Sequence, residues 1–235
     1  MLNELGYRLG PKEHWWPTIH GALNAILAPS GLNFEEFVKR GYLRGHMEYQ
    51  KYLKKGFSTP TGKVELYSTR LQEWGYDPLP QFREPPESPV SRPDLFKEYP
   101  YILITGMRPP AFFHSEHRQI PWLRELLPEP LVEIHPETAE REGIQEGDWV
   151  IIESARGRCR QRAKLTLGID PRVIGAQHAW WFPETNPPEH GWRDANINLL
   201  TDNHPLTCDP AMGSTNLRVL LCRIFPQEGR RQEND

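Results

Sequence analysis

His114-Ser115-Glu116-His117 sets two imidazoles three residues apart, a spacing at which a helix could offer both to one metal ion. Pro109, Pro110 and Pro121 oppose a regular helix through this loop. No cysteine or third histidine lies beside it in sequence, so only Glu116 could complete such a site. Imidazole, hydroxyl and free backbone amides together suit a loop that hydrogen-bonds an anionic ligand better than they suit structural zinc. A serine nucleophile would need a tight strand-to-helix turn, and Gly213-Ser214 lacks the GxSxG flanks. Cys208 stands beside Asp209 with no identifiable base, which favours an inert thiol. An autonomous hydrolase built on His114 or Cys208 is therefore the weakest catalytic reading. Neither GxGxxG nor a phosphate-cradling GxxxxGK motif occurs. Asn196, Asn198, Thr201, Asp209, Ser214 and Asn216 crowd into one short stretch. They suit ordinary turn chemistry, and equally the recognition of an amide-rich heteroaromatic ring such as guanine or a pterin. Spacing alone leaves both open.

The element that carries the histidine loop runs from Tyr101 to Gly157. An apolar run, Tyr101 to Ile104, breaks at Thr105-Gly106, where a buried strand would expose backbone amides to a ligand. Leu131 to Ile134 reads as a second strand. Pro136 can open a short helix to Glu142, because its missing N–H costs nothing there, and Gly143 can end it in the left-handed conformation. Gly147-Asp148 turns into a hairpin: Trp149 to Ser154, then Arg158 to Leu167. Arg158, Arg160, Arg162 and Lys164 share one face of its second strand, which reads as a solvated face rather than a phosphate track. Val173 to Gln177 and Leu217 to Ile224 are further strands. Between them lie the aromatic cluster His178-Ala179-Trp180-Trp181-Phe182 and the polar stretch above.

Upstream, Ile19, Leu23, Ile26 and Leu27 share a helical face that Pro29-Ser30-Gly31 ends. Asn33 can cap a second helix that Gly41 closes. Trp15, Trp16, Tyr42 and Tyr49 are a large aromatic load with little local core, so these pieces are expected to pack on something outside the segment. Val64 to Ser68 alternates as a half-buried strand, and a short helix from Thr69 to Trp74 follows. Prolines dominate Asp77 to Pro100, which reads as an extended connector. The chain thus divides into a helical segment (1–76), a connector (77–98), a strand-rich domain (99–226) and a charged tail (227–235).

Bulk properties fit this division. With 235 residues, 24 prolines and 18 glycines, the chain suits loops and short strands. A formal charge of -3 gives no global reason to expect nucleic acid as a partner. No apolar run approaches membrane-spanning length, so direct membrane insertion is not expected, and the first residues lack the order of a secretory signal. Cys159, Cys208 and Cys222 are too scattered for a disulfide framework, zinc or an iron–sulfur cluster.

Three pieces, ILITGMRPPAFFHSEHRQIPWLREL, EIHPETAEREGIQEGDWVIIESARGRCRQRAKLT, and HAWWFPE with DANINLLTDNHPLTCDPAMGS, resemble the carboxy-terminal domain of the molybdopterin oxidoreductases, the dimethyl sulfoxide reductase family. The pattern HPxxAxxxGIxxGDxVxIxSxxG is the most specific, because a helix cap and two turns must agree. GFSTPTGKVELYS resembles the stretch that precedes this domain in the same enzymes.

The resemblance implies a mainly β fold with short helices, a six-stranded double-psi β-barrel of the aspartate decarboxylase-like kind. It implies that the barrel holds molybdopterin guanine dinucleotide, with molybdenum or tungsten, shared with a partner chain. In that reading the Thr105-Gly106-Met107-Arg108 turn approaches the cofactor, and His114 and Ser115 donate hydrogen bonds to it. Trp180 and Trp181 line the channel wall, while Asn198, Thr201 and Asp209 bind the pterin or guanine edge. The family's metal ligand and iron–sulfur cysteines have no counterpart here, so the resemblance implies a small subunit or a fragment, with a large catalytic partner that carries them. The rival expectation is a freestanding barrel that binds a ligand without any redox cofactor.

Overall fold

The computed structural model describes residues 2–209 and 211–227 and divides into two compact units, Met1–Glu65 and Leu66–Asp235. Most of the expected charged tail lies outside the described residues.

The first unit is built from helices Leu2–Leu9, Ile19–Leu27, Phe34–Arg40 and Tyr52–Lys55. Their ends are set by local chemistry. The Thr18 hydroxyl accepts the Gly21 N–H at 3.1 Å, capping the second helix. Asn33 and Glu36 satisfy each other's backbone amides at 2.9 Å in a reciprocal capping box. Gly31 (φ 73°) and Gly41 (φ 81°) take up the left-handed and positive-φ turns that end their helices. Only Ala22 of this unit is buried among the described residues, while Leu9, Met47 and Tyr49 are more than four-fifths exposed.

In the second unit Ser68 caps a helix at Thr69–Glu73 by accepting the Leu71 N–H. The strand expected at Val64 to Ser68 does not form. Alternation alone is not enough: Val64 and Leu66 face solvent, and the segment's backbone bonds only through Ser68, whose N–H donates to Pro78 O at 2.9 Å and whose O accepts the Gln72 N–H at 3.2 Å, where a strand needs a ladder.

Six strands then close into a barrel: β1 (Tyr101–Met107), β2 (Leu131–Ile134), β3 (Trp149–Ser154), β4 (Gly157–Leu165), β5 (Val173–Gln177) and β6 (Leu220–Pro226), in the order β1-β5-β2-β4-β3-β6. Pairs β1·β5 and β2·β4 are parallel and the other four antiparallel. This is the closed six-stranded barrel, with few and short helices, that the sequence leads one to expect. Period-two alternation fills its interior: Leu103, Val132, Ile134, Val150, Ile152, Ile174, Leu220 and Ile224 are almost wholly buried. Each such side chain contributes roughly 1.5–3 kcal/mol. Gln161 also points inward, and its amide is fully used, accepting Gln177 N–H (3.0 Å) and donating to Gln177 O (2.8 Å).

Outward on β4, Arg162 pairs with Glu129 and Lys164 with Glu133, while Arg160 and Arg162 flank the Trp149 ring at 4.9 and 4.4 Å. Three cations of that face, Arg160, Arg162 and Lys164, are thus paired with carboxylates. The short helix Pro136–Arg141 begins at its proline, and Gly143 (φ 67°) ends its turn, as the local signals dictate. Within the proline-rich stretch, Glu87 and Ser88 are buried. The Ser88 hydroxyl accepts the Val90 and Ser91 amides, which folds the segment into a tight turn before a helix at Pro93–Phe96.

Candidate functional site

At the end of β1 the chain leaves the barrel interior. Thr105 is buried, and both its amide and its hydroxyl donate to Leu217 O, at 3.1 and 2.7 Å. Gly106 is exposed, and a Cβ built on it would meet nothing closer than Arg218 Nε at 4.0 Å. A flat, open stretch of backbone therefore follows an anchored residue, the arrangement a ligand needs for close approach to main-chain amides. Met107 and Arg108 then line a cavity of about 450 Å³ with Pro109, Leu127, Glu133, Lys164 and Gln177.

The loop beyond is held in a demanding backbone. His114 (φ 48°) and His117 (φ 74°) both sit in the left-handed region, which costs non-glycine residues energy. Arg118 supplies the restraint: its Nη1 donates to His114 O (2.7 Å) and to Glu116 O (3.3 Å). Its guanidinium is buried and lies over the rings of Phe112 (4.8 Å) and Trp180 (4.9 Å). Burial, then repulsion from Arg124, pushes its pKa down to about 10, and its Nε and Nη2 find no partner among the described residues. His178 closes the loop from the β5 side, with Nδ1 3.1 Å from Met107 O and Nε2 3.4 Å from His114 Nδ1. Trp181 Nε1 donates to Ser115 O at 2.5 Å.

The structure thus gathers Met107, Arg108, His114, Ser115 and Trp181 at one end of the barrel. Trp180 is placed differently from its neighbour: it is fully buried against Phe112 and Phe182, beneath the loop, with its Nε1 unpartnered. Asp209 lines a second cavity of about 530 Å³, with Arg83, Glu84 and Pro86 of the connector and Cys208, Ser214 and Asn216. Its Oδ1 accepts the Ala211 and Met212 amides at 3.0 and 2.6 Å. Asn198 and Thr201 line neither cavity; the Thr201 hydroxyl donates to Asn198 O at 3.2 Å in a short surface turn. The two cavities share no lining residue. The Thr105–Leu217 contact joins the segment that lines the first to the segment that lines the second.

Arg118 and His178 are functional candidates that spacing did not single out. Nothing in the sequence marked Arg118, and His178 read as part of an aromatic run. Only the crossover from β5 brings His178 to the β1 loop, 64 residues away from His114.

Closed barrel, open strand-end turn, donor-rich loop and a carboxylate-bearing cleft define a domain that takes an extended, polar organic cofactor. A family model described as "Molydopterin dinucleotide binding domain" matches residues 101–218. The chain is similar to dopamine dehydroxylase of Eggerthella lenta, 44% identical over 179 residues, covering 73% of this chain and 17% of that protein. Dimethyl sulfoxide reductase DmsA of Escherichia coli is 28% identical over 235 residues, covering 87% of this chain and 28% of the relative. The solved structure of acetylene hydratase from Pelobacter acetylenicus superimposes with a TM-score of 0.83 at 33% identity, covering 95% of this chain and 32% of that one. The chain spans less than a third of each of these proteins. It belongs to the molybdopterin dinucleotide binding domain family, within the molybdopterin oxidoreductases.

The cofactor of that family is molybdopterin dinucleotide carrying molybdenum. The residues present fit its organic part. Exposed Gly106 lets a ligand reach backbone amides, exposed Arg108 suits its phosphates, and the Asp209 carboxylate suits the amino groups of a guanine. When bound, the group supplies the redox centre itself, and this chain's residues hold and orient it. Among the described residues no three His, Cys, Asp or Glu side chains converge on a metal-sized site, and no helix is long and apolar enough to cross a membrane.

Proposed function

We propose that this chain is the cofactor-cradling portion of a molybdenum or tungsten bis-pterin oxidoreductase. In this reading the metal ligand and an iron–sulfur cluster are carried by a larger catalytic part. The observation that carries the reading is the family match over 101–218 in a chain that spans less than a third of its relatives. The exposed apolar side chains of residues 2–65 support it, because Leu9, Met47, Tyr49 and Leu53 have no cover among the described residues. Residues 1–76 are then a piece of a neighbouring domain, and 77–98 tie it to the barrel of 99–226.

Within the cradle we assign Gly106, Met107 and Arg108 to direct cofactor contact, with Thr105 fixing their turn through Leu217. His114 and Ser115 face the same ligand, and Trp181 holds the Ser115 backbone. Trp180 supports the loop from beneath. Asn198, Thr201 and Asp209 are assigned to the pterin or guanine edge, with Asp209 the best placed because it faces a cavity.

The test is to purify the chain alone and together with the larger polypeptide, then measure surface-dye fluorescence and size. Dye binding that disappears on complex formation is expected. A tight monomer that binds no dye would favour the freestanding binding module instead.

A further inference from the structure

His114 and His178 meet edge to face, with ring centroids 5.5 Å apart and a single nitrogen–nitrogen contact of 3.4 Å. The tautomers of both rings follow from what surrounds them. Met107 O can only accept a hydrogen bond, so His178 carries a proton on Nδ1, 3.1 Å away. Burial first, with the nearby cations Arg108 and Arg118 adding to it, outweighs the Met107 bond and holds the His178 pKa below its ordinary value. The ring is therefore neutral, and its Nε2 is a bare lone pair. The contact with His114 is then a hydrogen bond only if His114 donates from Nδ1. A neutral His114 that donates there has no proton on Nε2.

We infer that His178 is a positioning residue that locks His114 in the Nδ1–H tautomer, so that the ring offers its ligand a hydrogen-bond acceptor at Nε2. The class of ligand group that suits such a ring is the N–H edge of a heteroaromatic base, not a phosphate oxygen. This rests on the proposed role of the Thr105–Ser115 turn and loop in holding the dinucleotide. It reverses the direction of the His114 hydrogen bond that the family resemblance implies.

The surrounding structure restrains His114 from changing partner. Its carbonyl is pinned by Arg118 at 2.7 Å, its backbone sits at φ 48°, and the Phe113 ring packs against it at 4.8 Å between centroids. A flip of the imidazole would discard the bond to the half-buried His178.

The test uses the 235-residue chain labelled with ¹⁵N-histidine, read by long-range proton–nitrogen correlation at neutral pH. His114→Asn identifies the His114 signal among the nine histidines. A protonated Nδ1 and a bare Nε2 are expected at His114. His178→Phe should abolish that preference, and His178→Gln should keep it, because the glutamine amide can donate to Met107 O and accept from His114. A His114 ring protonated on Nε2 alone, or one unchanged in a folded His178→Phe variant, overturns the inference. If His178→Phe fails to fold, the unmodified chain and His178→Gln still decide it. The ligand class is read by adding guanosine diphosphate or inorganic diphosphate. A shift of His114 Nε2 with the nucleotide only supports a ring edge, and an equal shift with inorganic diphosphate overturns it. No shift with either counts against the loop as a dinucleotide site, while the tautomer result stands separately.

Discussion

Glu87 in the proline-rich connector and Arg156 in the β3–β4 turn form a largely buried ion pair that fastens the connector to the barrel. Glu87 Oε1 also accepts the Leu221 N–H of β6 at 2.8 Å, and Arg156 reaches Leu200 O at 3.3 Å and Asp202 at 3.4 Å. One carboxylate thus satisfies a buried strand amide and a cation at once. Glu87→Ala leaves both without it, and a loss of about 3 kcal/mol is expected, the lower end for breaking a buried pair because Arg156 keeps Asp202 and partial solvent contact. Urea unfolding should show a lower midpoint with an unchanged slope. A shift of under about 0.5 kcal/mol would mean that the connector is not fastened in this way.

The thiols divide by burial. Burial pushes the Cys159 pKa up to about 12 and raises that of Cys222 as well, whereas Cys208 is half-buried beside the second cavity. A thiol reagent at neutral pH should therefore modify Cys208 rapidly in the folded chain and the other two only on unfolding. Rapid modification of all three would contradict the packed barrel interior.

His178 gives the fold an acid-sensitive element. Its pKa lies below the unfolded value of 6.5, chiefly through burial, so the unfolded chain binds more protons as pH falls through that window. Its contribution to stability is full above pH 6.5 and is lost as pH drops through the folded value. The stability difference between the unmodified chain and His178→Gln, measured by urea midpoints, should shrink on acidification. A difference that grows on acidification would have the wrong sign.

Arg118 is a buried cation with no carboxylate partner among the described residues, and its worth lies in the two carbonyls it holds and the rings it covers. Arg118→Met keeps the space over Phe112 and Trp180 filled, whereas Arg118→Ala opens a cavity. The alanine variant should lose about 2 kcal/mol more than the methionine variant in thermal or urea unfolding. Both should speed proteolysis near His114 to His117, because the positive-φ backbone there has lost its restraint. Equal stability of the two variants would argue against the packing role.

The barrel was legible because its strands carry their own punctuation. Tyr101 to Ile104 ends at a glycine, Pro136 and Gly143 bracket a helix, and Ala155-Arg156-Gly157 turns a hairpin. Alternation placed Arg160 and Arg162 on the outer face, and the structure adds that both cover Trp149. Pairing across the barrel was not legible, because parallel partners such as Ile102 and Val173 share no local signal. The same limit hid Glu87, whose partner Leu221 lies 134 residues away, and His178, whose meaning depends on the carbonyl of Met107. Val64 to Ser68 misled for the converse reason, since a strand pattern without a neighbouring strand has no ladder to join. Asn198 and Thr201 were equally legible as turn or ligand residues, and their bonds in the structure are those of a turn.

The central claim is that the open backbone after Thr105 receives the pterin dinucleotide, and Gly106 tests it most directly. Gly106→Val meets open space and ordinary strand geometry, so thermal stability should stay within about 0.5 kcal/mol of the unmodified chain. Pterin released by acid oxidation from the chain purified with its larger polypeptide, measured by fluorescence per mole of protein, should fall by roughly tenfold, equivalent to about 1.4 kcal/mol. Equal pterin content in the two folded proteins would contradict the account.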